Sequence, residues 1–278
     1  MKNAIVVFTK VPKAGDSKTR LTTDRGGILT PDEAKEFYIA SLLDVIDCCV
    51  SSNCCDVYLC YNKDGDRSYL KTILEAAADS HAIKEVFPDN GGTFDKGMQY
   101  AVDHILQNGA PSRLADTVLI LGGDIPSLQQ ETIRRAVRTL EKLASSENGS
   151  LAGNGEPPVG AAMVVSADQE CGFNILGYTC TTPFDFNGVF YNQDGVTALD
   201  MVTYKAQEQC IPFGMLEIVP DVDVPVDLAG FISVVKVMQL AEKYDSSVLL
   251  PKRTIRVLES LGLEASAPVP AGMPAPPS

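Results

Sequence analysis

Positively charged residues are scarce in this sequence. Its 278 residues include 23 lysines and arginines against 36 aspartates and glutamates, which gives a formal net charge of −13. A chain this acidic repels the phosphates of nucleic acids and of anionic lipid headgroups. The composition therefore argues against a protein that binds nucleic acid or docks on a membrane surface.

Long apolar runs are absent as well. A membrane-spanning helix needs about eighteen consecutive apolar residues, and no segment approaches that length. The apolar stretch after Lys2 ends at Thr9, which is too short for the core of a secretory signal. The sequence therefore predicts a cytoplasmic protein.

The cysteines lack the spacing of a zinc site. Five of the eight fall between residues 48 and 60, but no two of them form a C-x-x-C pair. Adjacent cysteines cannot easily face one ion together. Buried, reduced thiols are the better interpretation of this cluster.

Two common phosphate-binding motifs are also missing. No G-x-G-x-x-G follows the first predicted strand, which argues against a dinucleotide-binding fold. A P-loop requires glycine directly before its lysine, but Ser17 stands before Lys18 and Thr19.

What the chain does contain is a basic loop, VPKAGDSKTRL, at residues 11–21. The first 25 residues hold six lysines and arginines against two aspartates. The loop follows AIVVF, an apolar run typical of a central parallel strand that is buried on both faces. Loops at the carboxyl ends of such strands bind ligands in open α/β sheets, so a phosphate site is the hypothesis. The alternative is a solvated surface loop.

Strand-like and helix-like segments alternate along the chain, which predicts an α/β fold with a mostly parallel sheet. Thr30, Pro31 and Glu33 form a helix-initiating capping box. Residues 145–158 have the composition of a flexible surface loop, and the Pro/Ala-rich residues 264–278 that of a disordered tail. Strands are predicted at 4–8, 56–61, 83–87, 117–121, 160–166, 173–178 and 215–219, and helices at 31–50, 68–78, 94–106, 129–144, 197–209, 225–244 and 252–261.

A second informative stretch is TVLILGGDIPSL, residues 117–128. An apolar strand runs directly into Gly122, Gly123 and Asp124. The two glycines let a ligand approach the backbone closely, and a carboxylate at this position can hold Mg²⁺ or Mn²⁺ against substrate phosphates. The alternative is a tight turn in which Asp124 caps the next helix. The metal hypothesis is preferred because the basic loop would share the same polyphosphate.

Several separated stretches resemble the nucleotide-diphospho-sugar transferase superfamily, in its DUF2064 branch of glycosyltransferase-like proteins. FTKVPKAGDSKTRL is similar to the opening F-x-K-x-P-x-x-G-x-x-K-T-R-L of that branch, and GGDIPSL to its G-x-D-x-P-x-L. GGTFDKGMQYA, ECGFNILGY and VPDVDVPVDLAGF resemble its G-D-L-G-x-R-M, D-G-G-Y-x-L-I-G and D-V-D-T-P-x-D-L segments. The resemblance implies a GT-A fold, a three-layer α/β/α sandwich. It further implies one transferase domain over residues 1–263, with a nucleotide half at about 1–128 and an acceptor half at about 159–245.

The resemblance also implies roles for single residues. Lys18 and Arg20 would hold nucleotide phosphates, with Gly15 allowing the loop to fold round them and Gly122 and Gly123 beside them. Asp124 would bind Mg²⁺ or Mn²⁺. Asp223 would be a second metal ligand or a catalytic carboxylate, with Asp221 as its rival, although both could simply be charges favoured at the start of the next helix. On the acceptor side the implied residues are Glu170 as a catalytic carboxylate, with Gly172 and Asn174 lining the site.

Three departures from the pattern affect this interpretation. The D-G-G of the branch is replaced by Glu170, Cys171 and Gly172, and its arginine before the methionine is replaced by Gly97. Gly122 occupies the place of the first aspartate in the D-x-D motif of many related enzymes. Glu170 keeps a carboxylate and Lys96 could replace the missing charge, and the alternative for either change is altered acceptor choice or lost activity. Gly122 removes the carboxylate that would recognise the ribose.

Three functions remain open on the sequence. The favoured one is glycosyl transfer from a nucleotide-sugar to a small-molecule acceptor. The others are nucleotidyl transfer from a nucleoside triphosphate, as in the phospholactate guanylyltransferases, and nucleotide or protein binding without catalysis. Residues 160–223 contain one lysine, Lys205, and nine acidic residues. That balance favours a neutral or cationic acceptor.

Overall fold

The computed structural model describes residues 1–154 and 158–266. Seven strands form one sheet in the order β3-β2-β1-β4-β6-β5-β7. The strands are β1 Asn3–Thr9, β2 Asp56–Tyr61, β3 Ile83–Pro88, β4 Thr117–Gly122, β5 Met163–Ala167, β6 Phe173–Thr179 and β7 Phe213–Met215. The helices are α1 Pro31–Ser51, α2 Arg67–Leu74, α3 Phe94–Leu106, α4 Gln130–Ala144, α5 Glu147–Ala152, α6 Ala198–Glu208, α7 Pro225–Glu242 and α8 Lys252–Ser260.

The first strand occupies the interior of the sheet, as its apolar run predicts. Ala4, Ile5, Val6 and Val7 have no exposed surface. β1 pairs in parallel with β2 on one side and with β4 on the other. The loops that follow β1, β2, β3 and β4 therefore all leave from the same edge of the sheet.

One strand, β6, is antiparallel to its neighbours and brings the second half of the chain to this edge. β6 is antiparallel to both β4 and β5, and Leu121 near the end of β4 pairs with Ile175 near the start of β6. The loop that precedes β6 consequently lies beside the loop that follows β4.

Helices cover both faces of the sheet. Alternate β1 residues point to opposite faces: Ile5 packs with α1 and α4, and Val6 packs with α3 and α6. The predicted three-layer α/β/α fold with a mostly parallel sheet is confirmed.

A third apolar cluster ties the basic loop to the C-terminal helices. Leu21, at the end of that loop, is completely buried and packs with Phe37 of α1, Phe231 of α7 and Ile255 of α8. The predicted capping box of α1 is present, since Thr30 Oγ1 accepts from the Glu33 amide at 3.2 Å and Glu33 accepts from the Thr30 amide at 2.7 Å. Both contacts fix the chain where it leaves the loop.

The structure corrects the predicted loop at 145–158. A short helix, α5, forms there because Ser146 accepts a hydrogen bond from the Gly149 amide at 3.1 Å and caps it. Residues 155–157 of that loop lie outside the described residues.

The last strand was predicted at 215–219, but in the structure it is Phe213–Met215, which pairs with β5. The predicted tail at 264–278 falls mostly outside the described residues, but Ala265 packs against the third cluster. Among the described helices, none has the length and apolar character needed to cross a membrane.

Candidate functional site

A cleft of about 1010 Å³ opens at the edge of the sheet where β1, β2, β3 and β4 end. Of the residues that the sequence singles out, Gly15 lies away from its wall, on an exposed turn where its φ of 77° requires a left-handed backbone. The others line the cleft together: Lys18, Arg20, Gly122, Gly123, Asp124, Glu170, Gly172, Asn174 and Asp223.

Lys18 is the buried cation of the basic loop. Its side chain is only 5% exposed, and its Nζ donates to Asp124 Oδ2 at 2.8 Å and to Asp223 Oδ1. Burial lowers the pKa of the ammonium, but the negative charges of Asp124 and Asp223 outweigh this and raise the pKa above its ordinary value. The hypothesis of a solvated surface loop therefore does not hold for Lys18, which is a permanently charged part of the cleft.

Arg20 is more exposed than Lys18 and connects the basic loop to residues of the second half of the chain. Its guanidinium donates to Asp223, and its Nη1 lies 3.5 Å from Glu170 Oε2. About half of the side chain is exposed, so the guanidinium remains accessible to a ligand in the cleft.

Three carboxylates lie close together beside these cations. Asp124, Asp221 and Asp223 each offer an oxygen, and these oxygens lie within 4.8 Å of one another. Burial raises the pKa of Asp221 to about 6, with further contributions from the charges of Asp124 and Asp223. Burial acts in the same direction on Asp223, but its contacts with Lys18 and Arg20 hold its pKa below the usual value.

This donor set fits a divalent cation. Carboxylate oxygens are the preferred ligands of Mg²⁺ and Mn²⁺. The cleft is lined by eight carboxylates, which include the triad, Asp168 and Glu170, against four cations, Lys10, Lys18, Arg20 and Lys63. The excess negative charge favours the binding of a further cation. In this structure the Lys18 ammonium contacts two of the three carboxylates that would bind that cation.

The two glycines at the end of β4, Gly122 and Gly123, are required by the protein's own packing. A Cβ on Gly122 would lie 2.4 Å from Asp124 Oδ1, and one on Gly123 would lie 2.6 Å from the side chain of Leu42. Ser41 also donates to the Gly123 carbonyl at 3.0 Å. Gly122 thus lets the Asp124 carboxylate fold back into the triad.

The loop before β6 is a tight turn organised by Asp168. Asp168 Oδ1 accepts from the amides of Glu170 at 2.7 Å and Gly172 at 2.8 Å. Cys171 between them has a φ of 67°, a left-handed conformation that favours glycine. The departure from the family's D-G-G therefore places a non-glycine residue in a strained position.

Two other features have a local structural explanation. Asn174 Nδ2 donates to the carbonyl of Val219 at 2.8 Å, which anchors the segment that carries Asp221 and Asp223. At Gly97 an added Cβ would lie 3.0 Å from the ring of Phe8 and 3.3 Å from Asp89 Oδ2. Glycine there leaves the cleft open where the family has arginine.

The sequence interpretation missed two polar residues in the cleft, Asn62 and Asp89. They follow β2 and β3 directly, as the basic loop follows β1. Their position after predicted parallel strands was a signal that could have identified them.

The prediction of buried thiols holds for four of the eight cysteines. In the described part of the chain, the only group of three potential ligands close enough to hold one ion is the aspartate triad. Cys48, Cys49, Cys60 and Cys180 are buried, but Cys171 and Cys210 are exposed.

Comparison with known proteins gives a family and a fold. Residues 45–193 match the family described as uncharacterized proteins conserved in bacteria, DUF2064. A protein from Desulfovibrio desulfuricans G20, named as a candidate nucleotide-diphospho-sugar transferase, has a similar structure, with a TM-score of 0.67 and 18% identity over 94% of this chain and 98% of that one. A cytidylyltransferase from Leptospira borgpetersenii reaches a TM-score of 0.47 at 13% identity, over 94% of this chain and 95% of that one. No curated protein matches. The chain has the fold of the first of these structures and belongs to the DUF2064 family.

Proposed function

We propose that the protein is a divalent-metal-dependent glycosyltransferase, which uses a nucleotide-sugar donor and a neutral or cationic small-molecule acceptor. The observation that supports this most is the meeting of Lys18 and Arg20 with Asp124, Asp221 and Asp223 in one cleft. Cations and metal ligands are brought together in this way where a diphosphate has to be bound and released.

The basic loop supplies the phosphate contacts. Arg20 offers a planar guanidinium that can donate two parallel hydrogen bonds to a phosphate, and Lys18 acts as a point charge. Asp124, Asp221 and Asp223 would hold Mg²⁺ or Mn²⁺, which stabilises the negative charge of a departing diphosphate when bound.

The acceptor side supports glycosyl rather than nucleotidyl transfer. The cleft residues contributed by the acceptor half include Asp168, Glu170, Asp221 and Asp223 but no lysine or arginine among the described residues. A phosphorylated acceptor, which nucleotidyl transfer of the phospholactate guanylyltransferase type uses, would be repelled there.

In the proposed reaction the acceptor hydroxyl oxygen bonds to the anomeric carbon of the sugar. The bond from that carbon to the diphosphate oxygen breaks, and the nucleoside diphosphate leaves with the bonding electrons. We assign removal of the hydroxyl proton to Glu170, which is partly exposed on the acceptor side. Asp223 is retained as a metal ligand because its two oxygens already face Lys18 and Arg20.

The experiment is product analysis by anion-exchange chromatography. Purified protein with Mn²⁺ is incubated with the common nucleotide-sugars, or with nucleoside triphosphates, and a panel of neutral, amino and phosphorylated acceptors. The expected result is acceptor-dependent release of a nucleoside diphosphate, lost in Asp124→Asn and retained in Asp24→Asn, whose side chain is exposed outside the cleft. Acceptor-dependent pyrophosphate from a triphosphate would instead establish nucleotidyl transfer. If neither donor class gave a product although nucleotide bound, the protein would bind nucleotide without catalysing transfer.

A further inference from the structure

Asn62 and Asp89 lie side by side at the edge of the sheet. Tyr61, the last residue of β2, is paired with Pro88 of β3, so the next residues along each strand are neighbours. The Asp89 amide donates to the Tyr61 carbonyl at 2.7 Å, and the Asn62 amide donates to the Thr9 carbonyl at 3.2 Å. Both side chains line the cleft.

The backbone fixes the orientation of the Asn62 side chain. The amide of Val11 donates to Asn62 Oδ1 at 2.7 Å. Because a backbone N–H needs an acceptor, the oxygen must face Val11 and Nδ2 must lie on the other side. No hydrogen bond of Nδ2 occurs within residues 1–154 and 158–266, so Asn62 presents an unused donor.

Asp89 is held in a comparable way. Its Oδ1 accepts from the amides of Lys63 at 2.8 Å and Gly91 at 2.9 Å, which orders the two loops beside it. Its Oδ2 has no hydrogen-bond donor in the described parts of the chain. Asp89 therefore also presents an unused charged acceptor, at the end of the strand that neighbours the strand before Asn62.

Three glycines, Gly91, Gly92 and Gly97, line the cleft near this pair without adding a side chain. Gly91 and Gly92 have φ values of 72° and 100°, and Gly97 leaves the region between Asp89 and the Phe8 ring free of a side chain. In the strand order β3-β2-β1-β4, Asp89 and Asp124 follow strands that are three positions apart. At about 4.8 Å per strand, the separation across the sheet is about 14 Å. An extended nucleoside diphosphate can span this distance from base to terminal phosphate.

We infer that Asn62 and Asp89 select guanine, so that the donor is a guanine nucleotide; this rests on the proposed binding of a nucleotide in the cleft. Guanine carries the neighbouring donors N1–H and N2–H₂ beside the acceptor O6. Asp89 accepts from the two donors, and Asn62 Nδ2 donates to O6. Hydrogen bonds to an ionised acceptor are the stronger kind.

The other common bases do not match this pair. Uracil has a single N–H between two carbonyl oxygens, which a carboxylate repels. Adenine and cytosine offer an amino group, but the adjacent ring nitrogen is an acceptor and also faces the carboxylate. A site with fixed polar groups discriminates against ligands that leave those groups unpaired.

The test is calorimetric titration with GDP, ADP, CDP, UDP and IDP in the presence of Mn²⁺, with inorganic diphosphate as a ligand that has no base. GDP is expected to bind about 10- to 100-fold more tightly than ADP, CDP or UDP. IDP, which lacks the N2 amino group, should bind about tenfold more weakly than GDP. Equal affinity for all nucleotides would overturn the selectivity and leave the proposed function standing. Binding of neither diphosphate nor any nucleotide would overturn both.

The Asp89→Asn variant provides a second test of the proposed guanine selectivity. The new amide oxygen can still accept from Lys63 and Gly91, while its amino group replaces the free acceptor with a donor. GDP affinity should fall about tenfold, and xanthosine diphosphate, whose 2-oxo group is an acceptor, should bind more tightly than to the wild type. Asp24→Asn is the control and should leave the preference for GDP unchanged, because Asp24 is an exposed aspartate outside the cleft. An unchanged preference for GDP in Asp89→Asn would overturn the assignment to Asp89.

Discussion

The Nζ of Lys18 lies 2.8 Å from Asp124 Oδ2, although the two residues are 106 positions apart. This contact connects the loop after the first strand to the loop after the fourth. Lys18 also donates to Asp223, so one buried ammonium contacts two of the three carboxylates that would bind a metal. Lys18 and a divalent cation therefore compete for the same oxygens in the free protein.

Replacing Lys18 should uncover this competition. In Lys18→Met the carboxylates lose their cation, so we expect the free energy of unfolding without metal to fall by about 2–3 kcal/mol. Mn²⁺ should then bind about tenfold more tightly than to the wild type and restore much of the loss. Thermal unfolding with and without Mn²⁺, and calorimetry of Mn²⁺ binding, measure both effects.

Lys13→Met is the control for this experiment, because Lys13 is exposed in the same loop. It should change neither stability nor Mn²⁺ affinity. If Mn²⁺ stabilised Lys18→Met no more than the wild type, the aspartate triad would not be a metal site.

A methyl group at Gly122 should weaken the metal site without unfolding the protein. The added Cβ would lie 2.4 Å from Asp124 Oδ1 and would displace the carboxylate from the triad. We expect Gly122→Ala to lower Mn²⁺ affinity about tenfold, as a displaced ligand would. Gly230→Ala, where nothing lies within 4 Å of the added Cβ, should leave Mn²⁺ affinity unchanged. An equally small effect in both variants would mean that Asp124 is not a ligand.

Features encoded by neighbouring residues could be predicted from the sequence. The buried strand at Ala4–Val7, the capping box at Thr30 and the position of Asp124 after β4 follow from local patterns. The pairing of Lys18 with Asp223 could not be predicted, because it depends on how a segment 205 residues away returns to the edge of the sheet. Asn62 and Asp89 belong to no motif, and only strand register shows that they are neighbours.

Cys171 should be less favourable than the glycine that stands in the family pattern. Its φ of 67° costs a residue with a side chain about 1 kcal/mol relative to glycine. Cys171→Gly should therefore raise the free energy of unfolding by about 1 kcal/mol, measured by chemical denaturation. Cys171→Ala retains the Cβ and should leave it nearly unchanged, so an equal gain in both variants would point to the thiol and not to the backbone.

The last helix is attached to α1 through a buried carboxylate. Asp44 Oδ2 accepts from the amide and the hydroxyl of Thr254, each at 2.8 Å, and Oδ1 accepts from the amide of Arg253 at 3.2 Å. Asp44→Ala leaves these donors without an acceptor and should lower the free energy of unfolding by about 2–3 kcal/mol. Asp44→Asn retains one acceptor oxygen and should cost less. Urea denaturation of both variants measures the difference.

The same carboxylate predicts a pH dependence with a definite sign. Burial raises the pKa of Asp44, although Thr254 and Arg253 donate hydrogen bonds to it. Between the unfolded and the folded pKa the native protein thus holds a proton that the unfolded chain has released, so the contribution of Asp44 to stability falls as the pH rises through this interval. The free energy of unfolding of the wild type, relative to Asp44→Asn, should therefore be greatest at acid pH and decline toward neutral pH. A difference that instead grew with pH would mean that the hydrogen bonds from Thr254 and Arg253 outweigh the cost of burying the charge.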